Sequence, residues 1–167
     1  QSFGADGGLA LWQDLNISGY VARVEAPGVA DDNLSYQGRF DYAGDTYGMQ
    51  IDRLSVGEQF DPAVGFVNRR GFDRSFGLVR FSPRPRPIPS VRRFTWEGSL
   101  EYIENRAGDL ESRQQQGRFN TEFQSGDQFN VEAARNYDLL LQPFTVSRGV
   151  VIPPGGYTYT DAQLSYT

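Results

Sequence analysis

The segment NLSYQGRFDYAGD, residues 33–45, alternates between apolar and polar side chains with almost no interruption. Leu34, Tyr36, Phe40 and Tyr42 occupy even positions, and Ser35, Gln37, Arg39 and Asp41 stand between them. In an extended chain successive side chains point to opposite faces, so this segment carries one apolar face and one polar face. A helix would scatter the same residues around its circumference. The run closes on Ala-Gly-Asp, a tripeptide suited to a tight turn. Further along, Phe94 to Glu104 repeats the pattern, with Phe94, Trp96, Leu100 and Tyr102 opposed to Thr95, Glu97, Ser99 and Glu101.

Extending this reading predicts about eight strands, near residues 9–25, 33–44, 46–56, 74–82, 92–104, 109–124, 128–140 and 157–167. Several exceed the roughly five or six residues usual in globular sheets and reach the roughly nine to eleven of a tilted membrane-spanning strand. The connections sort by parity. The second, fourth and sixth are Ala43–Asp45, Pro83–Val91 and Ser125–Asp127; the alternate set holds the long Gly57–Asp73 and Leu141–Gly156. In a meander that places both long connections on one end, as outer-membrane barrels do. Aromatics bracket the short turns: Tyr42 and Tyr47, Phe81 and Phe94, Phe123 and Phe129. Such a level of rings is what a membrane–water interface selects, although cross-strand pairs beside hairpin turns of a soluble sheet look the same.

The predicted fold is therefore all-β: an antiparallel up-and-down meander, either an outer-membrane β-barrel or a segment of a larger one, in a single unit over residues 1–167. The predicted lipid-facing residues are Tyr36, Phe40, Tyr42, Phe94, Trp96, Leu100, Phe119, Phe123 and Phe129, with Val131 beside them. Charges gather on the other face, at Arg39, Asp41, Asp52, Glu97, Glu101, Arg118, Glu122 and Glu132. The stretch ESRQQQ, residues 111–116, is polar on both faces and is expected to project beyond the membrane. Membrane lipid is the expected partner and the bacterial outer membrane the expected location.

Composition limits the chemistry. Without Cys there is no disulfide, thiolate metal site or cysteine nucleophile, and without His no Ser-His-Asp triad. All 16 basic residues are Arg, a bias expected of a GC-rich genome. A net charge of −5 argues against a nucleic-acid partner. No phosphate loop or dinucleotide fingerprint is present, and no cofactor or metal is expected. Mean hydropathy is −0.53, which excludes a spanning helix but not a barrel, whose strands show lipid only alternate residues. Gln1 to Gly8 lacks the marks of a signal peptide, and Thr167 falls within a strand-like run, so the chain reads as a fragment cut at both ends.

Candidate sites are few, and none is catalytic. The connection Gly57–Asp73 concentrates Glu58, Asp61, Arg69, Arg70 and Asp73 among Phe60, Phe66 and Phe72. Carboxylates, guanidinium groups and rings together suit a saccharide or a small solute. The same residues also suit a packed loop, with Pro62 and Gly65 setting turns and Arg–Asp pairs stapling it to the sheet. Glu97 and Glu101 stand roughly 13 Å apart on one strand face, too far to cooperate in glycoside hydrolysis. Asp31–Asp32 lacks the spaced ligands of a calcium loop. The run PRPRPIP, residues 83–89, is a stiff turn or a recognition peptide.

Three stretches carry a family resemblance: VGEQFDPAVGFVNRR at 56–70, SPRPR at 82–86 and PFTVSRGVVIPPGGY at 143–157. From about Leu9 onward the chain resembles the barrel region of a bacterial outer-membrane family catalogued as domain of unknown function 5916. Members often carry an N-terminal domain similar to family-9 carbohydrate-binding modules; no such domain is present here, so no sugar-binding residues carry over. The resemblance implies architecture and location, and a non-enzymatic structural, transport or surface-binding role. Two other readings compete: a soluble β-sandwich that binds carbohydrate, which would need a second apolar layer, and a hydrolase built on loop carboxylates such as Asp61 and Asp73.

Overall fold

Alternation becomes pairing. In the computed structural model, which describes residues 1–28, 31–62 and 69–167, all the long strands join one sheet. They are β1 (Ser2–Leu11), β2 (Leu15–Val24), β3 (Leu34–Ala43), β4 (Tyr47–Val56), β5 (Phe72–Phe81), β6 (Val91–Asn105), β7 (Leu110–Phe123), β8 (Gln128–Leu140) and β11 (Gly155–Tyr166). Two short strands, β9 (Phe144–Ser147) and β10 (Val150–Ile152), form a separate hairpin between β8 and β11. Strand order follows the chain and each neighbouring pair is antiparallel. The all-β meander is as expected. The sheet does not close on itself, and its edge strands, β1 and β11, run in the same direction.

The strand count differs from the expectation. Residues 9–25 were expected as one strand; β1 and β2 instead form a hairpin around Trp12–Asp14, with Leu11 opposite Leu15 and Leu9 opposite Ile17. The three-residue turn leaves Leu9, Leu11, Leu15 and Ile17 all at odd positions, so the alternation reads through it unbroken. Nor does the turn contain Gly or Pro: Trp12 itself takes the left-handed conformation, with φ of 53°. The hairpin of β9 and β10 lies inside the expected connection Leu141–Gly156, turning at Gly149 with φ of 87°.

Connections 12–14, 44–46, 82–90 and 124–127 share one end of the sheet, here the turn end. Connections 25–33, 57–71, 106–109 and 141–154 share the other, the loop end. Both long loops therefore lie together, beside one tight turn at 106–109. The Pro-rich connection is held to its neighbour: Arg84 pairs with Asp45 at 2.8 Å, and Arg80 donates to the Gly44 carbonyl.

Buried apolar residues are scarce. Val24, Val56 and Phe60 form one small cluster with Ala22, Leu54 and Phe72 around it. It lies at the loop end on the polar face, where Phe60, from the start of the β4–β5 loop, folds over the strand residues. This is the loop packing expected of Phe60; Phe66 lies outside the described residues. Gly57 makes the fold-back possible. A Cβ there would meet the Asp32 carbonyl oxygen at 2.0 Å, closer than any side chain tolerates.

Candidate functional site

Register decides which side chains share a face, because directly paired residues point the same way. Phe40 pairs with Ile17 and Ile51, Ile51 with Gly77, and Gly77 with Leu100. Tyr47 pairs with Phe81, Phe81 with Trp96, Trp96 with Phe119, and Phe119 with Val131. Continuing the alternation along each strand, all the predicted lipid-facing residues from Tyr36 to Phe129 fall on one face. Near its turn end the rings form a continuous row. Centroids lie 5.2 Å apart for Tyr47 and Phe81, 5.8 Å for Phe81 and Trp96, and 5.1 Å for Trp96 and Phe119. Phe94 fills in at 5.5 Å from Trp96 and 5.9 Å from Phe119.

Nothing among the described residues covers this face. Leu100 is 44% exposed, Ile51 51% and Val79 60%, in positions a soluble fold would seal beneath a second layer. On β6 the apolar run from Phe94 to Tyr102 extends about 27 Å along the strand. On β4 it ends sooner, at Ile51, before Arg53. Small residues cut a trough across the face just beyond the aromatic row. Val79, Gly98, Gly117, Ala133 and Ala162 pair in sequence from β5 to β11. The resulting groove has a volume of about 820 Å³ and is walled by Tyr47, Met49, Phe81, Trp96 and Phe119.

The opposite face is a lattice of polar contacts. All eight predicted charges, from Arg39 to Glu132, lie there. Asp52 is only 3% exposed, accepts from Gln37 at 2.6 Å and pairs with Arg74 at 3.3 Å. Arg74 also reaches Glu101. Gln114 donates to Asn136 at 3.0 Å, and Asn136 to Asp161 at 2.8 Å. Arg118 bridges Glu132 at 2.9 Å and Glu97 at 3.7 Å. Glu97 and Glu101 thus have separate guanidinium partners.

The loop residues singled out in the sequence do not converge. Arg69 pairs with Glu111 and lies over the Phe72 ring, while Arg70 pairs with Asp61 at 3.3 Å. Asp73 faces Arg106 at 3.2 Å and Arg53 at 3.5 Å. Glu58 contributes its backbone N–H, which donates to Asp32 at 2.7 Å. The geometry is that of a stapled loop. Its organiser is Arg106, absent from the sequence reading, which holds Asp32 at 2.9 Å, Asp73, and the fully buried Ser55 hydroxyl at 3.1 Å. Two loop-end connections and the loop ends of β4 and β5 meet on that one guanidinium. Asp32 has both oxygens engaged, and no cluster of acidic residues suited to a metal occurs among the described residues. A long-range contact of this kind has no local sequence signature.

Comparison with protein-family models, with curated proteins and with solved structures found no match to this chain.

Proposed function

We propose that the sheet is part of the wall of a bacterial outer-membrane β-barrel, with its apolar face in hydrocarbon and its hydrogen-bonded face toward the lumen. One observation carries this reading: a single extended sheet whose ringed apolar face has no second layer over it among the described residues. A carbohydrate-binding sandwich needs that layer. The asymmetry of the connections supports the same reading, with both long loops opposite the aromatic row. Edge strands β1 and β11 each have an unpaired backbone row, which hydrocarbon does not tolerate, so in a membrane further strands flank both.

The role is non-enzymatic: structural support, transport or surface binding. The carboxylates that a hydrolase would use, Asp61 and Asp73, are paired to arginines on separate elements. Trp12 and Trp96 are the only tryptophans and provide the test. In vesicles, Trp12→Phe leaves Trp96 as the sole tryptophan reporter, and brominated acyl chains are expected to quench it. A chain that stays monodisperse without detergent, with Trp96 unquenched by such vesicles, overturns the proposal.

A further inference from the structure

Two arginines on the apolar face stand out by what they lack. Ion pairs or carbonyl contacts engage the other arginines of the sheet strands: Arg23, Arg39, Arg53, Arg74, Arg80, Arg92, Arg93 and Arg118. Among the described residues, Arg113 on β7 and Arg135 on β8 have no acidic partner. Both lie on the face that carries Leu100 and Trp96: Arg113 pairs in register with Tyr102 and Tyr137, and Arg135 with Gln115 and Thr160. They are diagonal neighbours across adjacent strands, close enough for both guanidinium groups to reach one anion. Glu111, on the same face of β7, is already engaged by Arg69.

The trough begins beside them. Arg135 is two residues from Ala133, about 7 Å along β8. From there the small-residue floor crosses β7, β6 and β5 toward Met49 on β4, about 19 Å at normal strand spacing. Through Gln115, Arg135 shares the register level of Leu100, and a guanidinium pair without a counter-charge on a face in hydrocarbon is costly unless its long side chains reach toward the loop-end interface and meet an anion there.

We propose that Arg113 and Arg135 hold the phosphate of a phosphorylated membrane lipid, one of whose acyl chains lies in the trough floored by Gly98, Gly117 and Ala133. Guanidinium groups match phosphate geometry through paired N–H donors. Tyr102 and Tyr137 stand in register with Arg113 and flank the headgroup position. The inference rests on the membrane reading above and deepens it by naming the lipid class.

The test compares spin-labelled phosphatidic acid with spin-labelled phosphatidylcholine in vesicles containing the protein. Each guanidinium near a membrane surface contributes about fivefold to anionic lipid affinity, so a preference of about 25-fold is expected at the site. The double variant Arg113→Gln, Arg135→Gln should bring it close to parity, while Arg113→Lys with Arg135→Lys keeps most of it. Raising the salt on the unsubstituted protein should weaken the preference without relying on any variant. Gly117→Leu, which fills the trough, should reduce retention of the labelled chain. Inorganic phosphate that displaces the labelled lipid completely would show a headgroup site alone and overturn the trough. A chain that inserts normally but shows equal preference before and after Arg113→Gln, Arg135→Gln overturns the lipid site and leaves the membrane reading standing. A chain that does not insert overturns both.

Discussion

Leu100→Arg separates a lipid-facing sheet from a water-facing one. Leu100 lies four residues beyond Trp96 on β6, about 13 Å along the strand. At a barrel tilt of about 40° this is about 10 Å above the aromatic row. With that row at one interface of an apolar band about 25 Å tall, Leu100 comes within a few ångströms of the midplane. An arginine there should cost about 2–4 kcal/mol. On a water-exposed sheet the same change at a side chain 44% exposed should fall within about 0.5 kcal/mol of neutral. Its neighbour Ser99 points to the polar face between Glu97 and Glu101, so Ser99→Arg serves as the control and should cost less than about 1 kcal/mol. The assay is reversible denaturant unfolding of protein inserted in vesicles, followed by tryptophan fluorescence. Leu100→Arg matching the unsubstituted protein would refute the reasoning, as would a cost equal to that of Ser99→Arg.

Other substitutions test the interior contacts. Asp52→Ala leaves Gln37 without its acceptor and Arg74 with Glu101 alone, and should cost about 1–3 kcal/mol in the same unfolding assay. Arg106→Ala unties the 25–33 and 106–109 connections from each other and from the loop ends of β4 and β5. Its cost should be only about 1 kcal/mol because the pairs are partly exposed, yet limited proteolysis should cut the 57–71 loop faster, and added salt should mimic the effect. Gly19 and Gly38 are register partners with opposite tolerance. A Cβ at Gly19 meets the Gln37 carbonyl at 2.6 Å, whereas one at Gly38 meets nothing within 4 Å. Gly19→Ala should therefore lower the unfolding free energy by about 1–3 kcal/mol and Gly38→Ala hardly change it.

What the sequence made legible was whatever depends on period alone. The alternation in β3 and β6 identified both faces, and register then placed Tyr36, Leu100 and Phe129 together as the pattern implied. The hairpin at Trp12–Asp14 was hidden because its turn preserves parity and uses no glycine. Its left-handed residue is a tryptophan, which no turn rule anticipates. The loop residues were identified correctly as a charged group but not as a dispersed one, since Arg106 and Asp32 come to them through strand pairing far along the chain. Arg113 was invisible for a different reason. Within ESRQQQ it looks like one polar residue among six, and only pairing with Tyr102 and Tyr137 shows that it shares the ringed face.

The odd number of strands in the sheet constrains any closed wall. Since β1 and β11 point the same way, joining them directly would make one parallel seam in an otherwise alternating ladder. A wall alternating all the way round must contain an odd number of additional strands, one at the least. The bore of such a tube is set by that number and by the stagger accumulated around the ring, so these nine strands fix its chemistry but not its width.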